Sequence, residues 1–215
     1  FDLHCPLLSL PLAFQTTLDS LPAAAPYLHA DAECIAAWKT RLGKQKKPRV
    51  GLVWSGGTGH HNDRNRSLLL ADLARHLPPN REYICLQKEI RQDDLAFLRS
   101  HQTIHTFESH IHDFGDTAAL CALVDVVISV DTSVAHLAGA LGRPLWLLVP
   151  FAPDWRWMLE RMDSPWYPTA TLYRQTALGD WNSVLQSIHR DLNAMEQRST
   201  WGALRQLLFG NRQKG

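Results

Sequence analysis

Several common functions are excluded by what this chain of 215 residues lacks. No apolar run reaches the roughly 18 residues a membrane-crossing helix needs, so no span is expected. Charge of one sign is not in surplus: 22 Lys and Arg stand against 21 Asp and Glu, a formal net charge of +1. A dedicated nucleic-acid binder carries a concentrated basic excess, so nucleic acid is not an expected partner. Cys5, Cys34, Cys85 and Cys121 lie far apart and form no C-x-x-C pair. That spacing supports neither a disulfide framework nor a zinc site, and a reducing cytoplasm is the expected compartment. The histidine pairs His60-His61 and His110-Ile111-His112 have no second pair at ligand spacing, so no metal is expected. No secretory signal pattern follows Phe1, and a start at Phe reads as the cut end of something longer.

Two nucleotide motifs are also missing. A P-loop needs G-x-x-x-x-G-K-[ST], and no such string occurs. A dinucleotide fingerprint needs G-x-G-x-x-G; Gly57 and Gly59 have the first spacing, but the third position is Asn62. The loop is also too long, and no acidic residue stands about 20 positions on to hold a ribose. Nicotinamide chemistry and ATP hydrolysis are therefore poor readings.

What is present is the pattern of an ordinary globular domain, with 45% hydrophobic and 20% charged residues. Residues 1–25 carry Pro6, Pro11 and Pro22, which block any long helix and suggest an extended connector packed on something. Tyr27, Leu28, Ile35, Trp38 and Leu42 trace a helix over 26–43, ended by Gly43. After the charged stretch 44–48 the rhythm becomes regular. Strands are predicted at 50–54, 83–87, 103–107, 126–130, 145–149 and 170–173. Helices are predicted near 70–77, 93–99, 116–124, 135–141, 154–159 and 180–195. This alternation implies right-handed βαβ units and a doubly wound, mostly parallel Rossmann-like α/β sheet of about six strands. The expected division is a connector and helix at 1–48, the Rossmann-like domain at 49–197 and a tail at 198–215. In the tail, Trp201, Leu204, Leu207 and Leu208 could form an amphipathic turn or two.

Ligands of such sheets bind beyond the carboxyl ends of the strands, so the residues after each strand matter most. Val126 to Val130 run directly into Asp131-Thr132-Ser133 and then a small-residue helix carrying His136. Free N–H groups and the positive helix end meet there, which suits an anion. Asp131 or Thr132 as a simple N-cap is the plainer alternative. The other strand-end loops are "WSGGTGHHNDRNRS" (54–67), Gln87-Lys88-Glu89 and "PFAPDWRWMLE" (150–160). Three of these four loops offer Lys, Arg, Gly or hydroxyl groups, the chemistry that meets phosphate oxygens. Trp155 and Trp157, with Trp166, either cover the sheet edge or wall a base or sugar pocket beside Arg156.

The string Asp131-Thr132-Ser133-Val134-Ala135-His136-Leu137-Ala138 resembles the D-T-x-x-x-H-L-A signature of the heptosyltransferases, glycosyltransferase family 9. With "GLVWSG", "NDRNRS", "LQKE", "DTSVAHLAGALGRPLWLLVPFAPDWRW" and "SPWYP", the chain is similar over residues 1–195 to bacterial tetratricopeptide-repeat proteins with a C-terminal glycosyltransferase region. Those are distant relatives of the O-linked N-acetylglucosamine transferases. The resemblance implies one half of a GT-B fold, in which two Rossmann-like domains face each other across a cleft. It implies that this half holds a nucleotide-sugar donor without a metal or cofactor. The repeats and the other half, with much of the protein or glycan acceptor site, would precede Phe1, so the fragment alone is expected to turn over poorly.

Carried over residue by residue, Thr132, Ser133 and His136 would meet the donor diphosphate, with Asp131 capping the helix beside them. Lys88 would neutralise the leaving diphosphate, which makes Lys88 and His136 the catalytic candidates. Arg64 or Arg66 would help from the first loop, and Ser55, Gly56, Gln87, Asp154 and Trp155 complete the substrate-binding set. The alternative from another class is a non-catalytic Rossmann-like module that binds a nucleotide or a protein.

Overall fold

The computed structural model describes residues 2–21, 25–101 and 103–209, with residues 196–209 described by backbone alone. The chain starts with a 3-10 turn at Leu7–Ser9, α1 (Leu10–Ala13) and a second turn at Leu18–Ser20. None of these short elements buries a residue, and Leu7, Leu8 and Leu12 are exposed. The segment expected to pack on something offers Leu7, Leu8 and Leu12 to solvent instead of packing them on this domain.

The elements that follow are α2 (Ala32–Leu42), β1 (Arg49–Val53), α3 (Asp63–Arg66), α4 (Leu70–Ala74), β2 (Glu82–Cys85), α5 (Gln92–Ser100) and β3 (Ile104–His105). Then come α6 (Phe114–Ala122), β4 (Val126–Val130), α7 (Ser133–Ala140), β5 (Leu145–Val149), β6 (Ala170–Arg174) and α8 (Trp181–Phe209). All six strands pair in parallel, in the order β3-β2-β1-β4-β5-β6. This is the doubly wound Rossmann-like sheet the sequence pattern implies.

Every residue of β1 and of β4 is buried, as expected of strands covered on both faces. Successive side chains alternate between the two layers. Val53, Val127 and Leu147 join Trp38, Leu120 and Ala138 on one side. Leu52, Ile128 and Leu148 join Leu70, Leu185 and Ile188 on the other.

Asp31 caps α2 by accepting the Cys34 amide at 2.8 Å, and Gly43 ends the helix at a φ of 69°. Tyr27 and Leu28 do not extend it, contrary to the apolar pattern; their amides donate to the Ala140 carbonyl at the end of α7. Trp38 is buried, and its Nε1 donates to Asp116 of α6 at 2.7 Å. Helix α2 thus shares the core of the sheet domain. The segment expected as a helix at 154–159 is a single 3-10 turn, Trp155–Trp157. Helix α8 runs past Met195 to Phe209; the side chains of Trp201, Leu204, Leu207 and Leu208 lie outside the described residues, as do Pro22 and 210–215.

Trp38→Ala removes a fully buried indole and takes one hydrogen bond from the Asp116 carboxylate, which keeps the His112 amide. The expected loss is about 3–5 kcal/mol of stability, measured by denaturant unfolding. A loss below about 1 kcal/mol would mean that α2 is an independent appendage.

Candidate functional site

The chain runs outward through β1, β2 and β3, then returns to place β4 on the other side of β1. Crossovers leave this point in opposite directions, so a crevice opens beyond the carboxyl ends of β1 and β4. It is a cavity of about 450 Å³. Ser55, Gly56, Arg66, Lys88, Thr132 and Ser133 supply its polar lining, and Val53, Leu86, Ile111 and Val134 an apolar wall.

Buried polar bonds hold the lining in place. The Gln87 Oε1 accepts the amides of Trp54 and Ser55 at 2.7 and 3.1 Å. Its Nε2 donates to Ser55 Oγ and to the Glu89 carbonyl. With both oxygen lone pairs and both N–H groups engaged, Gln87 pins the loop after β2 to the end of β1. Below the first loop, buried Asp63 faces the guanidinium groups of both Arg66 and Arg91 and accepts from Ser67 Oγ at 2.8 Å. Arg91 also donates to the Gly56 carbonyl, and Arg66 Nη1 donates to the Asp131 carbonyl at 2.7 Å. A Cβ at Gly56 would stand 2.3 Å from Arg66 Nη2, so only glycine lets the guanidinium lie there. Lys88 extends over the rim, where Nζ donates to the His112 carbonyl at 2.7 Å.

Helix α7 begins at this cavity with Thr132 as N-cap, and no side chain caps it. The expectation that Asp131 caps the helix is corrected here. Thr132 occupies the N-cap position, one residue too late for Asp131, and its hydroxyl lies 3.2 Å from Ser129 Oγ. The Asp131 carboxylate turns instead toward His136, with Oδ1 3.7 Å from Nε2. The opening amides of α7 are therefore left without a carboxylate in front of them, a favourable place for an anion.

His136 does not line the cavity. It stands one turn along α7 in an aromatic nest, stacked on buried Trp157 at 5.2 Å, with Nδ1 3.0 Å from Tyr167 Oη. Burial lowers its pKa below the ordinary histidine value, Arg156 adds to this, and Asp131 and Asp154 oppose it. The imidazole is accordingly neutral at pH 7.

No family model matches the chain. Among curated proteins, Protein FlbA of Caulobacter vibrioides is 28% identical over 190 residues, 80% of this chain and 30% of that protein. Among solved structures, the ADP-heptose lipopolysaccharide heptosyltransferase II of E. coli superimposes with a TM-score of 0.56 at 20% identity, covering 86% of this chain and 58% of the other. The glycosyl transferase family 9 protein of Veillonella parvula DSM 2008 gives 0.52 at 14%, covering 84% and 57%. E. coli heptosyltransferase WaaC with ADP gives 0.50 at 14%, covering 80% and 53%. The chain shares the fold of these solved structures. It spans less than two thirds of the length of each of these proteins.

Within this glycosyltransferase-like domain the sequence-derived residues separate into three groups. Ser55, Gly56, Arg66, Gln87, Lys88, Thr132 and Ser133 come together at the cavity. Asp131, His136, Asp154 and Trp155 gather beyond α7, where Asp154 caps the turn Trp155–Trp157 by accepting the Arg156 amide. Burial pushes the Asp154 carboxyl up, but its hydrogen bonds from Arg156 outweigh that and hold it below the ordinary range. Arg156 also lies over the exposed ring of Trp155 at 4.7 Å, whereas Trp157 is core. Arg64 is apart from both groups, in a hollow beside Gly179 and Trp181. Asp63, Arg91 and Tyr167 were not singled out in the sequence. Asp63 and Arg66 stand three apart, the one local signal that a turn of helix pairs them.

Because the folded-state pKa of His136 is depressed, its contribution to stability is complete above about pH 6.5 and is lost as pH falls through the lower folded value. His136→Gln, which cannot titrate, should flatten the fall in stability below pH 6.5, measured by urea unfolding at a series of pH values. An unchanged slope would place the imidazole in water.

Proposed function

We propose that this chain is the donor-binding half of a GT-B glycosyltransferase, which moves a sugar from a nucleoside diphosphate to an acceptor. The observation that carries this reading is the meeting of the uncapped α7 start with Arg66 and Lys88 around one cavity at the strand ends. The apolar wall suits a nucleoside, and the volume is in the usual range for such a ligand. Thr132 and Ser133 meet the donor diphosphate in the cavity, and His136, outside it, meets the diphosphate only where the ligand extends along α7. As the glycosidic bond breaks, negative charge grows on the departing phosphate oxygen. The Lys88 ammonium and the α7 amides stabilise that charge where it develops, which lowers the barrier. Among the described residues, no three His, Cys, Asp or Glu side chains gather as metal ligands. In this reading charge neutralisation falls to Lys88, Arg66 and the start of α7.

In this reading residues 49–197 are the donor domain, 1–48 the link toward the other half and 198–215 a tail. The kinship to tetratricopeptide-repeat glycosyltransferases, and more distantly to O-linked N-acetylglucosamine transferases, rests on the Asp131 to Ala138 block and the strings around it. The acceptor is a protein or glycan held mainly by the other half. A second reading, a binding module without turnover, is favoured by one observation. Of the two carboxylates lining the cavity, Glu89 and Asp113, the latter is spent accepting the Gly115 and Asp116 amides.

Calorimetry with UDP, ADP and GDP in the presence of a chelator should show binding of at least one, and binding of none would overturn the proposal. Lys88→Ala should weaken that binding by roughly ten- to a hundredfold, the value of a hydrogen bond to a charged group. The melting temperature of the unliganded variant should barely move, because Lys88 is exposed. An assay for sugar transfer by the chain alone should find little, and robust transfer would contradict the division between two halves.

A further inference from the structure

Tyr167 lies outside every motif that points to the donor site, yet three features converge on it. Its ring is seated against Gly139 of α7, where a Cβ would come within 2.4 Å of the ring. Its hydroxyl is 3.0 Å from His136 Nδ1. The hydroxyl of Tyr27, which belongs to the segment anchored on the Ala140 carbonyl, lies beside it. We infer that Tyr167 is a positioning residue that holds His136 in a single tautomer, with the proton on Nε2. The inference rests on the proposed donor site for its consequence in binding, and on geometry alone for the tautomer.

A neutral imidazole carries one proton, and its two nitrogens have unlike neighbours. Nε2 lies 3.7 Å from a carboxylate oxygen of Asp131. A lone pair aimed at that oxygen is repelled, whereas an N–H aimed at it is attracted, although the distance exceeds that of a hydrogen bond. Nδ1 is left with its lone pair facing a phenol, and the phenol donates. Tyr27 can then supply a proton to the Tyr167 oxygen, and the two bonds polarise one another. Trp157, stacked at 5.2 Å, fixes the plane of the ring, and Tyr167 fixes which edge faces which neighbour. Ring flipping would place a carbon against the phenol and lose the bond.

The charged and titratable groups around the imidazole are Asp131, Asp154, Arg156 and Tyr167. Of these only the Tyr167 oxygen could accept a proton from Nδ1, and the Asp131 carboxylate beside Nε2 favours the other tautomer. His136 is thereby a neutral donor one turn along α7 from Thr132 and Ser133, beside the cavity and not in it. A neutral donor meets a phosphate oxygen without having to be protonated first, so binding should not depend on imidazolium formation. Tyr167 touches neither cavity nor reacting atoms in this arrangement and acts only through His136.

The test uses the full 215-residue chain with nitrogen-15 histidine, read by long-range proton–nitrogen correlation at pH 7.5 without ligand. The His136 signals are identified by their absence in His136→Gln. The expected result is a protonated Nε2 and an unprotonated Nδ1 in the wild type. Tyr167→Phe keeps the ring on Gly139 and should give mixed tautomers. Its His136 titration midpoint should rise, because the neutral form loses a hydrogen bond. Affinity for ADP should fall by about two- to tenfold, the value of one net hydrogen bond. A proton on Nδ1 in the wild type overturns the inference. So does a Tyr167→Phe protein with unchanged tautomer and midpoint. Should Tyr167→Phe fail to fold, the wild-type spectrum still decides. Absence of ADP binding by the wild type strikes the donor reading and leaves the tautomer to be judged from the spectrum.

Discussion

The parallel pairing of β1 with β4 is the constraint from which the rest of the site follows. Val50 to Val53 match Val126 to Ser129 in register, so the two strands end side by side although 76 positions separate the paired residues. Two loops of different character are thereby forced together, one long and basic and the other a two-residue step into a helix. Buried charge then locks them. Asp63 sits between two guanidinium groups, and Arg66 passes its second contact to the Asp131 carbonyl. Removing either arginine would leave a buried carboxylate short of a partner, an arrangement that typically costs about 3–5 kcal/mol. The loop is therefore held in one conformation by three strand ends at once.

Asp131 is the joint between the two sides of α7. Its carbonyl faces the cavity and accepts from Arg66, while its carboxylate faces the aromatic nest and His136. This division keeps negative charge away from the helix start. The positive side of the crevice consequently comes from Arg66, Lys88 and backbone amides, with the Asp131 carboxylate turned elsewhere. A carboxylate turned this way favours a charged His136, but burial and Arg156 outweigh it and the imidazole stays neutral.

Much of this was legible in the sequence because it depends on local pattern. The β-branched run 126–130 and the run 145–149 are the observed β4 and β5, residue for residue. Gly43 likewise ends α2 where the sequence placed the end, whereas the helix starts at Asp31 and not near residue 26. The strand-end loops were readable as a group because parallel sheets place ligands there, and seven of the residues chosen on that ground line one cavity. What failed depended on direction. Sequence cannot say whether Asp131 or Thr132 takes the N-cap, since both types favour it; a one-residue shift decided it. Arg64 and Arg66 are two apart on a single helical turn, so they point different ways and only Arg66 reaches the site. Tyr27 and Leu28 fit a helical stripe but are claimed by the Ala140 carbonyl. Asp63 with Arg91, and His136 with Tyr167, are pairings between residues 28 and 31 positions apart, invisible to any local window.

The central claim is that an anionic nucleotide sits on the start of α7 within the β1–β4 crevice. Amide chemical-shift mapping of the full chain during titration with ADP tests this most directly. The account predicts the largest shifts at Ser133 and Val134, with further shifts at Gly56 and Lys88. Shifts concentrated instead around Lys46, Lys47 and Arg81, which line a separate hollow at the opposite ends of the strands, would contradict it.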